Sequence, residues 1–361
     1  MSTNMKKTLL WIFAFMLGWA SVLAAPPPVV RGKLISGKGK TSASAKPVRK
    51  AAPAKTARPA AARKKTAAPA VPVTPGKGPL APYRGAIALD ADSGRVLFTD
   101  HADRTGYPAS LTKMMTFFLV LEDLAAGRYT VADRAVASAY AASMEPSKVD
   151  IKPGQSMTIE DLLYSLMIKS ANDAAVVLAE HAAYRRSGIH KPQADVPSAD
   201  LVAAFVARMN RRAQELGMAS TRYVSPNGLP PPAGSKRGFD VSTAADLARL
   251  ARKLVVTPQA LKYTAPASRT VTDGKGEKLS FGNHNYFVPG NVDPKRFCAP
   301  VPGCDGLKTG YTEASGSSIA LTAKRNGRRV VVVVLGSAGR WEREAAAGRL
   351  LRDALGAVSV W

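Results

Sequence analysis

Histidine and cysteine are scarce in this chain, with four and two copies in 361 residues. His101, His181, His190 and His284 show no ligand spacing with Cys298 and Cys304, so neither a metal nor a cofactor is expected. His284, between Asn283 and Asn285, reads as a loop or packing residue and is assigned no chemistry. Long apolar runs are also few. Leu9 to Leu23 follows Lys6 and Lys7 and ends on small residues, but it falls short of the about 20 apolar residues that usually span a bilayer. It reads as a secretory signal peptide over residues 1–24, with an uncleaved anchor as the alternative. Arg329 to Gly336 has only the length of a strand. Acids and aromatics are missing altogether from Ala25 to Pro82, which holds thirteen Lys or Arg. Such a segment cannot offset the entropy of ordering, and residues 25–82 are expected to form a disordered basic tether. In a cytosolic chain it would point to nucleic acid. Export excludes that and leaves membrane phosphates, lipopolysaccharide or wall carboxylates as electrostatic partners, or a solvated spacer with none.

The two cysteines frame Cys298-Ala299-Pro300-Val301-Pro302-Gly303-Cys304. In an exported chain that pattern favours a disulfide closing the loop. The net charge of +25 is uneven, and from Tyr83 onward the composition becomes that of a globular domain, 83–361, large enough to bury its own core. Ala86 to Leu89 and Val96 to Phe98 flank an Asp/Ser/Gly turn and read as a hairpin. Thr158 to Ile168 has a Thr cap, acids in its first turn and helical apolar spacing. Helices are also expected over 171–183, 198–216 and 243–254, and the polar segment 184–199 reads as a surface insertion. Gly316 to Lys324 and Arg329 to Leu335 flank Asn326-Gly327, a strong hairpin signal, and a helix closes the chain from about Arg340 to Leu355. The expected class is α+β: an antiparallel sheet built from both chain ends, with flanking helices and an inserted helical lobe.

The chemistry centres on Pro108-Ala109-Ser110-Leu111-Thr112-Lys113, where a serine precedes a lysine by three residues at a helix start. Residues i and i+3 share a helical face, so the Lys113 amine can reach the Ser110 hydroxyl. The apolar neighbours Met114, Met115, Phe117 and Phe118 disfavour a charged lysine and make it a base. Alone, Ser-x-x-Lys is a weak signal. Two further motifs give it meaning: Ser170-Ala171-Asn172 in a turn between helices, and Lys308-Thr309-Gly310 on a strand before the late hairpin.

With these three motifs in this order, the chain from about Tyr83 onward resembles the D-alanyl-D-alanine carboxypeptidases, serine DD-peptidases among the low-molecular-mass penicillin-binding proteins. The resemblance rests also on Ser225-Pro226-Asn227-Gly228-Leu229 and on Asp305 to Thr312. It implies a β-lactamase/DD-peptidase-like fold and an acyl-enzyme on Ser110 formed from peptidoglycan stem peptides or β-lactam antibiotics. Lys113 would then be general base and Ser170 a proton relay, while Asn172 would bind substrate backbone or Lys113. Lys308 would add positive potential, Thr309 would hold the terminal carboxylate, and Gly310 would let substrate approach as an added strand. The backbone N–H groups of Ser110 and Tyr311 would form the oxyanion hole, with Tyr311 departing from the His frequent there only in its side chain. Arg343 matches an arginine that helps hold the carboxylate.

Many members continue into a β-rich second domain and an amphipathic membrane helix; neither is expected before Trp361, and the basic tether is expected to replace that attachment by charge. The resemblance implies an extracytoplasmic location, in the periplasm or envelope. A DD-endopeptidase would use the same site. A β-lactamase is disfavoured because no convincing Glu-x-x-Leu-Asn segment supplies a deacylating carboxylate, and an inactive wall-binding protein is disfavoured by the intact Ser110 and Lys113.

Overall fold

A computed structural model of the chain describes residues 82–232 and 234–357. The expected signal peptide, and the expected tether up to residue 81, lie outside the described residues. The chain opens with strands β1 (Gly85–Asp90) and β2 (Val96–Asp100) and passes through a 3-10 turn (Ala109–Thr112) into α1 (Lys113–Ala125). Then come β3 (Arg134–Val136), α2 (Ala139–Ala142), β4 (Ser156–Thr158) and α3 (Ile159–Tyr164), which runs into a π-helical turn (Ser165–Lys169). Helices α4 (Asn172–Ser187), α5 (Ser198–Glu215) and α6 (Ala244–Val255) follow, then a small hairpin of β5 (Ser268–Thr272) and β6 (Lys278–Gly282). Strands β7 (Cys304–Thr312), β8 (Gly316–Arg325) and β9 (Arg328–Ser337) lead into the closing helix α7 (Arg340–Ala357).

Five strands form one antiparallel sheet in the order β2-β1-β9-β8-β7, so both ends of the domain do build it. Central β9 is buried on both faces, which explains an unbroken apolar run rather than an alternating one. Val331, Val333 and Leu335 join Ile87, Leu89 and the cores of α1, α4 and α6 on one face. Val330, Val332 and Val334 pack with Ala86, Ala88, Leu350 and Leu351 on the α7 face. This is the two-residue periodicity of a strand covered on both sides. Asn326 and Gly327 both have positive φ, as the two-residue turn joining β8 to β9 requires. The Thr158 hydroxyl accepts from Asp161 N at 3.1 Å and caps α3 as its sequence indicates.

Three expectations are corrected. The helix expected up to Ile168 is α-helical only to Tyr164, and its last turn widens into the π form that delivers Ser170 in the left-handed conformation at φ 64°. The insertion expected over 184–199 is shorter, because α4 continues to Ser187 with Tyr184 packed on the core and α5 begins at Ser198. Cys298 and Cys304 are both free thiols rather than a disulfide. Cys304 opens β7 and points into the core beneath α7, its Sγ 3.6 Å from Gly306 O. Cys298 is held on its loop by Asp293, whose carboxylate accepts from the backbone N–H of Lys295, Phe297 and Cys298. Burial pushes both thiols up to about 12.

Candidate active site

Ser110 lies in the 3-10 turn that precedes α1, next to Ala109, which is held at a positive φ of 48°. Strain of this kind in a non-glycine residue persists only where its surroundings enforce it. Lys113 is the first residue of α1, and its Nζ stands 2.9 Å from Ser110 Oγ, 2.6 Å from Asn172 Oδ1 and 2.7 Å from Asn227 O. The side chain is 0% exposed. Burial first, and the charge of Lys308 second, drive its proton affinity well below that of an ordinary amine, with Asp240 and Asp173 opposing. An amine so disposed to give up its proton, in contact with a hydroxyl, has the chemistry of a base beside a nucleophile.

Asn172 opens α4, and its Nδ2 donates to Glu145 O at 2.8 Å, which fixes the Oδ1 toward Lys113. Ser170 lines the same cleft, although its hydroxyl makes no hydrogen bond to Ser110 or Lys113. Lys308, Thr309 and Gly310 lie on β7, an edge strand of the sheet. Lys308 is buried with Nζ donating to Thr309 O at 2.9 Å, and burial together with Arg343 brings its amine down to about 7.

Gly310 has a tighter reason than access for substrate. A Cβ there would stand 2.9 Å from Leu111 Cδ1, 3.0 Å from Pro108 O and 3.2 Å from Ser110 N. The glycine therefore lets the nucleophile's own turn rest against β7. Tyr311 lines the cleft with its side chain turned to solvent. Arg343, in the first turn of α7, is buried at the cleft wall, with its guanidinium on the Glu344 carboxylate and 3.5 Å from Ser318 O.

Several contributions to the site lie outside the three main motifs. Asn227 contributes only a backbone carbonyl, which no side-chain pattern reports. Its loop is held by buried Asp240, which accepts from Ser225 N and Ser225 Oγ at 3.0 and 2.6 Å and from Thr112 Oγ1 at 3.4 Å. His284, assigned no chemistry from sequence, lines the cleft. Burial first, and then the neighbouring cations Lys308, Lys169 and Arg343, bring it down to about 4, so it is neutral at pH 7. Its signal was the flanking asparagines: Asn283 Nδ2 donates to Thr264 O and Pro266 O, and Asn285 Nδ2 to Gly306 O, which fixes the segment between them. Arg340 also lines the cleft, paired with Asp293 at 2.5 Å and stacked over Tyr286 at 4.6 Å.

The cleft has a volume of about 390 Å³. It combines a serine, a buried lysine base, an open strand edge and cationic side chains suited to an anionic substrate end. Fold and site together have the arrangement that serine acyl-transfer chemistry with a lysine base requires.

The peptidase S11 family of D-alanyl-D-alanine carboxypeptidases matches residues 81–191 and 193–339, and the chain belongs to that family. It is 31% identical over 268 residues to the D-alanyl-D-alanine carboxypeptidase DacF of Bacillus subtilis, covering 74% of this chain and 61% of that one. The chain thus spans about six tenths of that relative's length. It is 26% identical over 266 residues to the D-alanyl-D-alanine endopeptidase of Escherichia coli, covering 73% of this chain and 74% of the relative. Among solved structures, ampicillin-bound penicillin-binding protein D2 of Listeria monocytogenes is similar at a TM-score of 0.56 and 30% identity, over 75% of this chain and 96% of that one.

Proposed function

We propose that this protein is a serine-type D-alanyl-D-alanine carboxypeptidase that trims peptidoglycan stem peptides and is acylated by β-lactams. On this reading residues 1–24 export it to the periplasm or envelope, 25–82 tether it by charge and 83–361 carry the chemistry. The observation that carries the proposal is the 2.9 Å contact between Lys113 Nζ and Ser110 Oγ inside a buried, cation-lined cleft. The substrate adds beside β7, its terminal carboxylate held by Thr309, Arg343 and the charge of Lys308. Ser110 Oγ attacks the carbonyl carbon as its proton passes to Lys113 Nζ, and the N–H groups of Ser110 and Tyr311 receive the oxyanion. The C–N bond then breaks, the proton passes by way of the Ser170 hydroxyl to the leaving amine of D-alanine, and the acyl group remains as an ester on Ser110. Water cleaves that ester and restores the hydroxyl.

The test is D-alanine release from a pentapeptide ending in D-Ala-D-Ala. The wild type should release it, and Ser110→Ala should lower the rate by about 10⁴-fold or more. Undiminished release by the variant would refute the assignment. Faster cleavage of a cross-linked peptide dimer would make the protein an endopeptidase, and rapid penicillin turnover would make it a β-lactamase.

A further inference from the structure

A second cavity, of about 420 Å³, adjoins the catalytic cleft and has no part in the mechanism above. Lys148, Lys152, Lys169 and Lys275 line it, against Asp150 and Asp273. The two acids are occupied. Asp150 pairs with Lys148 at 3.3 Å, and Asp273 accepts from the backbone N–H of Lys275 and Glu277, bonds that hold its carboxyl below the usual range. Lys152 and Lys169 form no ion pair with a carboxylate among the described residues, and Lys275 acts on Asp273 only through its charge at longer range.

The partition between cleft and cavity is one residue thick. Ser147 and Ser170 face the cleft, while their chain neighbours Lys148 and Lys169 face the cavity. It is also firmly built. Ser147 Oγ donates to Lys169 O at 2.8 Å, Asn172 N donates to Ser147 O at 2.7 Å, and the buried Asp173 carboxylate accepts from Val149 N and Ile151 N. A ligand lying in the cleft has only to pass this partition to meet several ammonium groups.

We propose that this cavity is a subsite for the carboxylates of an acidic peptide whose D-alanyl end occupies the catalytic cleft, an inference that rests on the function proposed above. Lysine ammoniums act as point charges and attract a carboxylate without imposing the two-pronged geometry of an arginine. Leu279 and Phe281 in the same wall suit the aliphatic part of a peptide side chain, and the two aspartates weigh against a densely charged phosphate polymer.

The test compares two fluorescent pentapeptides ending in D-Ala-D-Ala, one with free side-chain carboxylates upstream and one with those carboxylates amidated. Binding is read by anisotropy on the full chain carrying Ser110→Ala, so that turnover does not intervene. The acidic peptide should bind about tenfold more tightly, the sum of a few partly exposed ion pairs, and the gap should shrink at high salt. Lys148→Ala with Lys169→Ala should close the gap, and so should Lys275→Glu at the exposed hairpin tip, where no folding defect is expected. With Ser110 intact, all these variants should be labelled by a fluorescent penicillin like the wild type. Equal binding of the two peptides, or a gap that survives in both lysine backgrounds, overturns the proposal. Displacement of the acidic peptide by inorganic phosphate far below the acetate concentration needed would assign the cavity to a phosphate-bearing polymer and overturn it too. Absence of D-alanine release by the wild type would refute the proposed function while leaving the peptide comparison readable.

Discussion

Lys113 on α1 and Lys308 on β7 are 0% and 1% exposed, and after burial itself it is the charge of Lys308 that does most to drive the proton from Lys113. Two buried ammonium groups this close cannot both hold their protons comfortably. The arrangement biases Lys113 toward the uncharged form, and burial with Arg343 brings Lys308 down to about 7.

These two shifts fix the pH dependence. Below the depressed pKa of Lys113 the amine is protonated and cannot accept from Ser110, so kcat/KM should rise as pH climbs through that value. Lys308 loses its proton as pH rises through about 7, so its hold on the substrate carboxylate should fade there. A peptide with a free C-terminal carboxylate should give a bell-shaped profile, and one with an amidated C-terminus should lack the alkaline limb. Identical profiles for the two peptides would contradict the role of Lys308.

Lys308 should also cost stability. Its folded-state pKa lies below its unfolded one, so between about 7 and its ordinary value the unfolded chain holds more protons and stability rises with pH. Below about 7 the full penalty applies. Lys308→Met should stabilise the protein by about 1–4 kcal/mol at neutral pH, flatten that pH dependence and weaken turnover. Urea unfolding at two pH values checks it.

Gly310→Ala should leave the fold standing but displace the Ser110 turn by a few tenths of an ångström, because the added methyl meets Pro108 O and Ser110 N. Penicillin acylation should fall about 10²-fold, as misplaced nucleophiles do. Gly228→Ala is harsher: at φ +82° its Cβ would stand 1.9 Å from Ala109 O, and a loss of about 3 kcal/mol is expected in thermal unfolding.

Asp240 anchors the loop that presents Asn227 to Lys113. Asp240→Ala would strand Ser225 N, Ser225 Oγ and Thr112 Oγ1 and should cost about 3 kcal/mol. Asp240→Asn keeps the shape and part of the bonding and should recover much of that loss.

The order of the three motifs, the late hairpin and the closing helix were legible because side-chain types and periodicity carry them. The contact of Asn227 with Lys113 and the part played by Asp240 were not, since one is made by a backbone carbonyl and the other through a loop 128 residues from the Thr112 it holds. His284 was passed over because its placement depends on two asparagines that bond only to backbone. The cysteines misled for a physical reason: closeness in sequence does not by itself bring two sulfurs into bonding distance, and both pack separately against the core beneath α7. Cys304 should therefore react with maleimide only on unfolding, and the half-buried Cys298 should react ahead of it.

The most direct measurement is the intact mass of the full chain after benzylpenicillin. The wild type should gain one penicillin, located on the peptide containing Ser110, and Ser110→Ala should gain none. An adduct that persists in Ser110→Ala, or that maps to another residue, would contradict the assignment of Ser110 and Lys113 as nucleophile and base.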